Sequence, residues 1–332
     1  MPPLSVSAVV VTWNSLGLVE AAVDSLRRQT TPPAQIILVD NASQDGTLEW
    51  ARAQADIEVV ANPVNRGFAG ANNQGIALAS GDVILLVNAD VELAPDYIER
   101  CHRAFADPRV GSVTGKLVRA DANGLLDSTG HDVFTVGWAM NRGEELANDG
   151  LEPPADVFGV CAAAALYRRA ALDATAVDGE VLDESYFAYI EDVDLDWRLR
   201  WNGWQARYES GAEGVHHRHA SGGPESALNM RHILKNRLLT VAKNYPTGWL
   251  VWHGPGIVAF TIVKTVDFGR RKPEAALGLV DFAQLLPSVL RKRRAVKAMC
   301  QVPAAEVHRW LRPFPWTDAV RRRRSRGRLR AG

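Results

Sequence analysis

An α/β fold built on a mainly parallel sheet with helices on both faces is what the sequence predicts. Three observations carry this reading. Short β-branched runs alternate with stretches of helical periodicity through the first hundred residues, the strands are of the buried type, and their ends carry turn residues. Residues 6–13 (VSAVVVTW) make the first strand, and 18–29 (LVEAAVDSLRRQ) place apolar residues at helical spacing. Residues 34–43 (AQIILVDNAS) are a second strand, 47–55 (TLEWARAQA) a helix and 57–62 (IEVVAN) a third strand. A helix with a polar start (70–80), a fourth strand (82–90, DVILLVNAD) and a helix opened by Pro95 complete the alternation.

Beyond residue 110 the pattern loosens. Residues 110–120 and 158–169 read as further strands, separated by a Gly-, Asp- and Asn-rich loop around 120–155. The stretch 186–204, YFAYIEDVDLDWRLRWNGW, gives two signals. Val193, Leu195, Trp197, Leu199 and Trp201 alternate as in a strand. Acids lead, arginines follow and Gly203 stands where a helix would stop, as helix ends prefer. Helix is the expectation, with Val193, Trp197 and Trp201 on one buried stripe and Leu195 and Leu199 on another. After residues 215–226 the chain turns helical and basic, and the arginine-rich end, 321–332, is expected to be disordered.

The composition is that of an ordinary globular protein, 332 residues with 47% apolar and 23% charged. Three separated cysteines, Cys101, Cys161 and Cys300, form neither a disulfide framework nor a zinc pattern, which fits a reducing cytoplasm. No signal peptide is expected at the N-terminus. The formal net charge of zero conceals a segregation. Residues 264–332 hold 18 Lys/Arg against 5 Asp/Glu, so the first 263 hold 20 against 33, a balance of +13 against −13. Such asymmetry points to an anionic surface as partner for the tail.

Ligands of parallel α/β sheets bind beyond the carboxyl ends of the strands. There the sequence places Thr12-Trp13-Asn14, Asp40-Asn41, Asn62 through Gly67, and Asn88-Ala89-Asp90. Any one set is ordinary turn chemistry, but four on one edge form a pattern. The glycine-rich dinucleotide turn, the P-loop and the hydrolase nucleophile elbow are all missing. What remains is Asp90, the acids around 192, and histidines 216, 217 and 219. Asp and His with oxygen co-ligands suit Mg²⁺ or Mn²⁺, and such an ion beside a diphosphate neutralises a leaving group's charge.

Taken together, VVVTWNS, ILVDNASQDGT, NRGFAGANNQGI, LLVNADVEL and DESYFAYIEDVDLDWRLRWNGW, spanning roughly residues 5–240, resemble family 2 glycosyltransferases, and among them bacterial rhamnosyltransferases of cell-envelope polysaccharide synthesis. The resemblance implies a GT-A fold with a Rossmann-like sheet, a nucleotide-sugar donor, a divalent metal (Mg²⁺ or Mn²⁺) and inversion at the anomeric carbon. It also implies roles. Thr12 and Asp40 line the nucleoside pocket with Asn14 beside them, and Asn41, Arg66, Gly67 and Asn72 flank the ribose and diphosphate. Asn88 and Asp90 occupy the ends of the family's metal-binding D-x-D, here with a single carboxylate and Ala89 in place of a related proline. Asp192 matches the catalytic base, with Glu191 the alternative, and Asp194 and Asp196 are left to solvate the helix or pair with arginines. His216 completes the metal site, with His217 or His219 as alternatives. Lys235, Asn236 and Arg237 resemble a segment near the family's active site. The processive Q-x-x-R-W motif is missing, which favours transfer of a single sugar.

The apolar run 248–263 is shorter than the ~20 residues a spanning helix needs and is broken by Gly254, Pro255 and Gly256. Interfacial attachment to an anionic membrane is the expectation, against a core helix as the alternative. The chain is thus expected to hold a nucleotide-sugar-binding catalytic domain over 1–240. A basic helical region over 241–332 would carry it on the inner face of the cell membrane. The expected reaction moves L-rhamnose from dTDP-L-rhamnose to a polyprenyl-diphosphate-linked or glycan acceptor. The alternatives are a UDP-sugar donor (galactofuranosyl, hexosyl or hexosaminyl) and a silent sugar-nucleotide-binding scaffold. Nucleic acid is excluded as a partner by the acidic remainder and the absence of an aromatic RNA platform.

Overall fold

The computed structural model describes residues 4–121, 124–148, 153–218 and 226–315. Strands β1 (Val6–Thr12), β2 (Gln35–Asp40), β3 (Ile57–Ala61) and β4 (Val83–Asn88) alternate with helices α1 (Leu16–Arg27), α2 (Thr47–Arg52) and α3 (Gly67–Leu78). β1 pairs in parallel with β2 and β4, and β2 with β3. β1, β2 and β4 are buried on both faces, and β3 is the half-exposed edge. Val10, Leu38 and Leu85 join Val19, Val23 and Leu26 of α1 in one layer, and Val9, Ile37 and Leu86 join Ala69, Ala71 and Ile76 of α3 in the other. α3 lies close enough to β1 that a Cβ on Gly75 would overlap Val9.

The second half extends the sheet and makes it mixed. β5 (Val91–Leu93), α4 (Tyr97–Arg103) and β6 (Val110–Arg119) follow in the chain. β7 (Leu126–Ser128), β8 (His131–Phe134), β9 (Ala139–Asn141) and β10 (Ala155–Val157) lie where the sequence reads as loop. Each is three or four residues long, too short to show a period. β11 (Ala164–Arg168) runs antiparallel to both β4 and β6, then come α5 (Arg169–Thr175), α6 (Glu191–Trp201) and β12 (Gln205–His216). β12, which the sequence reading misses, pairs in parallel with β6 through a register shift between Tyr208 and Glu213. The strand order is β10-β12-β6-β11-β4-β1-β2-β3, with β5 on β12 and β7 on β6.

α6 is a helix, as its end chemistry predicts, and both its stripes are buried. Leu195 and Leu199 pack into the sheet layer, while Val193, Trp197 and Trp201 meet the C-terminal helices. Those are α7 (Ala227–Asn244), α8 (Thr247–Arg271), α9 (Gly278–Ala298) and α10 (Ala304–His308); β13 (Leu311–Arg312) then returns to pair with β8. α7 runs through residue 240, and the rings of Tyr245 and Trp249 pack at a tilt against Trp197 and Trp201 at centroid distances of 5.1 and 5.6 Å. Pro255 does not break α8 as expected. The carbonyl it leaves without an amide partner belongs to Val251, which is 76% exposed, so water can satisfy it. The arginine-rich end and His219 lie outside the described residues.

A buried charge network locks α7 and α9 to α6 and the segment ahead of it. Lys243 of α7 reaches Asp183 at 2.6 Å and Asp194 at 2.8 Å, and Lys292 of α9 reaches Asp183 at 2.7 Å and Glu180 at 2.8 Å. Arg198 pairs with Asp194 at 3.0 Å and donates to the Thr175 and Val181 carbonyls, both at 2.6 Å. Burial alone would raise the Asp183 pKa, but the two lysines hold it well below the usual carboxylate range, and Lys243 and Arg198 do the same for Asp194.

Lys243→Met should therefore destabilise the fold by about 3–5 kcal/mol, the scale of breaking a buried pair, read from the urea midpoint. Both acids have folded pKa values below the unfolded value of ~3.9, so their contribution is complete above about pH 5 and is lost as pH falls through the folded values. The gap between wild type and variant should narrow in acid. A gap that stays constant to pH 3 would show that packing, not charge, is what the substitution removes.

Candidate active site

Because β1, β2 and β4 run in parallel, their carboxyl ends meet along one edge. Thr12 Oγ1 donates to Asp40 Oδ1 at 3.1 Å and the Ser43 amide donates to Asp40 Oδ2 at 3.0 Å, with Thr12 and Asp40 both fully buried. Asp40 therefore braces the floor of the crevice from inside. Asn14, in the left-handed region, accepts from the Gln44 amide at 2.7 Å and ties the β1 end to the β2 loop. Asn41 donates to the Gly67 carbonyl at 3.1 Å and accepts from the Arg66 amide at 3.3 Å. Gly67 has φ +74°, and a Cβ there would overlap the Phe187 backbone, so the residue is fixed by conformation and space together. Arg66 is half-exposed and pairs with Glu184 at 3.1 Å. Asn72 is buried and bonds the Phe68 carbonyl of its own helix.

A second station lies where β4 and β12 end. The His217 amide donates to the Asp90 carbonyl, and His216 Nε2 comes within 3.4 Å of Asp90 Oδ1. His216 Nδ1 is 2.7 Å from Asp127, a fully buried acid whose other oxygen takes Arg218. Burial opposes the charged imidazole, but Asp127 and Asp90 outweigh it and raise the His216 pKa to about 10. The hydrogen bond at Nδ1 aims Nε2 at Asp90, so a cation bound between them would take the place of the Nε2 proton. Asn88 Oδ1 is buried with no hydrogen-bond partner among the described residues. An amide oxygen, a carboxylate and an imidazole are a donor set that fits Mg²⁺ or Mn²⁺. His217 turns instead to Glu92 at 2.8 Å.

The third station is the head of α6. Phe187, Tyr189 and Ile190 all have positive φ, a strained approach for residues that are not glycine. Asp192 Oδ2 accepts from the Ala162 amide at 3.1 Å and Oδ1 from the Val193 amide at 2.8 Å, leaving the side chain 14% exposed. The Asn88 amide donates to the carbonyl of the next residue, Ala163, at 2.9 Å. Consecutive residues ahead of β11 thus tie Asp192 and the Asn88–Asp90 turn to one piece of backbone. Glu191 is buried, and its Oε2 has no hydrogen-bond partner among the described residues. Burial, then the neighbouring Asp192, push its pKa well above the carboxylate range.

Three expectations change. Asp194 does pair with an arginine, but Asp196 pairs with His131, whose Nδ1 lies 2.7 Å from its Oδ2, and accepts from the Val160 amide at 3.1 Å. Space for that carboxylate exists because residue 159 is glycine, where a Cβ would overlap it. Arg237 does not reach the crevice. Its buried guanidinium serves the Val136 carbonyl, the Ile257 carbonyl at 3.2 Å and Thr261 at 2.7 Å, beneath the Phe260 ring. Lys235 is also buried and donates to the Ser185 carbonyl at 2.8 Å, so it holds the approach to α6. Sequence reasoning missed Asp127 and His131, single polar residues in strands too short for periodicity. His131, Cys161 and Asp192 place donor atoms within 4.8 Å of one another, but a thiol in the set suits softer ions than Mg²⁺.

A family model described as glycosyl transferase family 2 matches residues 7–175. The chain is 30% identical over 275 residues to the N-acetylglucosaminyl-diphospho-decaprenol L-rhamnosyltransferase of Mycobacterium tuberculosis, a match covering 74% of this chain and 86% of that protein. Among solved structures it resembles GalNAc-T7 with UDP, GalNAc and Mn²⁺ at TM-score 0.63 and 14% identity, covering 86% of this chain and 58% of that one. It also resembles the mannosyltransferase PcManGT of Pyrobaculum calidifontis with GDP-Man and Mn²⁺ at TM-score 0.52 and 18% identity, covering 89% and 86%.

An acid whose folded pKa is raised contributes nothing below its unfolded value near ~4.3 and destabilises increasingly as pH climbs toward the folded value. Glu191→Gln should therefore leave stability almost unchanged at pH 4 and raise it by roughly 1–3 kcal/mol at pH 8. Thermal melts across that range check this. A variant less stable than wild type at pH 8 would mean that the carboxylate is satisfied where it stands.

Proposed function

The chain belongs to glycosyltransferase family 2 and has the GT-A fold, and from that premise we propose that it transfers one sugar with inversion, L-rhamnose from dTDP-L-rhamnose, to a polyprenyl-diphosphate-linked acceptor of cell-envelope polysaccharide synthesis. The name of the mycobacterial relative supports both donor sugar and acceptor class. The observation that carries the reaction type is the shared backbone at Ala162 and Ala163, which sets a carboxylate opposite a turn suited to a charged leaving group. Thr12, Asn14, Asp40 and Asn41 shape the nucleoside pocket, with Arg66 and Gly67 on the diphosphate side. Asp90, His216 and the Asn88 amide oxygen would hold a divalent ion, Mg²⁺ or Mn²⁺, which supplies positive charge to the departing diphosphate. Asp192 takes the proton of the acceptor hydroxyl as that oxygen attacks the anomeric carbon from the face opposite the diphosphate.

We further propose that α8 lies on the membrane surface and carries the catalytic part to its lipid-linked acceptor. Val251, Trp252, Val258, Ile262, Val263 and Val266, each at least 47% exposed, recur at helical spacing on its outer side. Exposed apolar residues gathered on one helix face, rather than scattered singly, mark an interaction or membrane surface. Arg270, Arg271 and Lys272 follow it, at the start of a chain end with a balance of +13. No helix among the described residues is long and apolar enough to cross a membrane, so the support is for attachment along the surface.

Asp192→Asn should cut transfer from dTDP-L-rhamnose, assayed beside UDP-sugars, by ~10²–10⁴-fold while donor affinity stays within about twofold. Glu191→Gln should cost less. Full activity in the Asn variant would remove Asp192 from the base position, and turnover of UDP-sugars alone would overturn the donor.

Sedimentation with liposomes checks the second proposal. Binding should favour anionic over neutral vesicles by about 1 kcal/mol per basic residue near the surface, and fall with Trp252→Glu or added salt. Equal binding to both vesicle types would defeat the electrostatic part, and an unaffected Trp252→Glu the apolar part.

A further inference from the structure

We propose that His131, fixed by Asp196, is a positioning residue for the base, supplying the counter-charge that holds the Asp192 carboxylate in place for the acceptor. This rests on the reading of Asp192 as the base. The imidazole stands between two carboxylates of α6 separated by one turn. Nδ1 lies 2.7 Å from Asp196 Oδ2, within hydrogen-bond reach, and Nε2 lies 3.6 Å from Asp192 Oδ2, a charge contact rather than a hydrogen bond. The ring is 4% exposed, so the interaction is screened little by water.

Position is enforced from three sides. The His131 amide donates to the Gly159 carbonyl at 3.0 Å, β8 is held between β9 and β13, and Asp196 is itself pinned by the Val160 amide. Asp196 makes no ion pair within 4 Å with an arginine or lysine among the described residues; Arg200 of the same helix donates to the Phe158 and Val157 carbonyls and acts on Asp196 only at longer range. Its place is against the imidazole. The titratable groups around the ring are Asp192, Asp196 and Glu191 from α6, with Cys161 and Tyr167 from the strand β11 side. Burial opposes the charged ring, but Asp192 and the hydrogen bond to Asp196 outweigh it, and the pKa stands well above the ordinary histidine value. Among these five groups every possible charge is negative, so the imidazolium is the cation in direct contact with them, with Arg200 acting on Asp196 from farther away. Remove it, and Asp192 faces Glu191 and Asp196 with amide hydrogen bonds alone.

The test is a pH–rate profile. In His131→Gln, kcat at neutral pH should fall about tenfold, the KM for donor should stay within about twofold, and the acid limb of the kcat profile should move up by about one pH unit. Asp196→Asn should move the limb the same way by a smaller amount. An acid limb unmoved in His131→Gln, with an unchanged thermal melt, would overturn the proposal. Should that variant fail to fold, NMR titration of the ¹³C-labelled wild-type histidines decides. His131 should stay protonated throughout the range in which activity rises, and a neutral ring there would overturn the proposal equally. Asp192→Asn separates the two readings. If it keeps full activity, the base assignment fails. If it is inactive while the limb of His131→Gln is unmoved, only the positioning role fails.

Discussion

Four carboxylates crowd the first two turns of α6, and the molecule depends on each finding a different way to exist there. Asp194 takes Arg198 and Lys243. Asp196 takes His131. Asp192 rests on two backbone amides with its side chain partly open to solvent, and Glu191 is left buried and inclined to hold its proton. Like charges so close would otherwise oppose folding. The solution draws cations from α7 and a histidine from β8, so elements distant in sequence converge on one helix end. The macrodipole adds a favourable field at the same place.

That convergence also brings a sheet edge and a helix end together as one candidate site. The parallel strands bring Thr12, Asp40 and Asn88 to a common edge, but nothing in that arrangement alone fixes Asp192, the proposed base, beside it. The segment before β11 does so, with the Ala162 amide on Asp192 and the Ala163 carbonyl on Asn88. Small side chains at 162 and 163 allow both elements to approach the backbone. The short strands β7 and β8 supply the supporting partners on either side, Asp127 for His216 and His131 for Asp192.

The parallel half of the fold was legible in the sequence because β1, β2 and β4 are buried on both faces and its helices have a clear period. The helix at 191–201 was legible from its ends rather than its pattern, since both of its stripes are buried and strict alternation mimics a strand. β7 to β10 were not legible, because three- and four-residue strands between glycines carry no period. β12 was hidden by its own register shift and by Gly211 and Gly214 within it. In the site, residues at strand ends could be read from position. Arg237 could not, because nothing local reveals that its charge is absorbed by α8. Asp127 and His131 became visible only once β7 and β8 were in space.

Asp183 has a wider consequence. Its two oxygens accept from Lys243 on α7 and Lys292 on α9, so one residue ahead of α6 is the joint on which α7 and α9 close. Exchange of the C-terminal region with that of a relative therefore meets an obstacle. A graft that brings other residues at 243 and 292 strands a buried carboxylate, and one that keeps them over a different residue 183 strands two ammonium groups. Single steps along that route are each unfavourable, and their effects do not add. A crossover on the N-terminal side of residue 180, or beyond Lys292, keeps all of these partners together, whereas one between them has to match both sides at once.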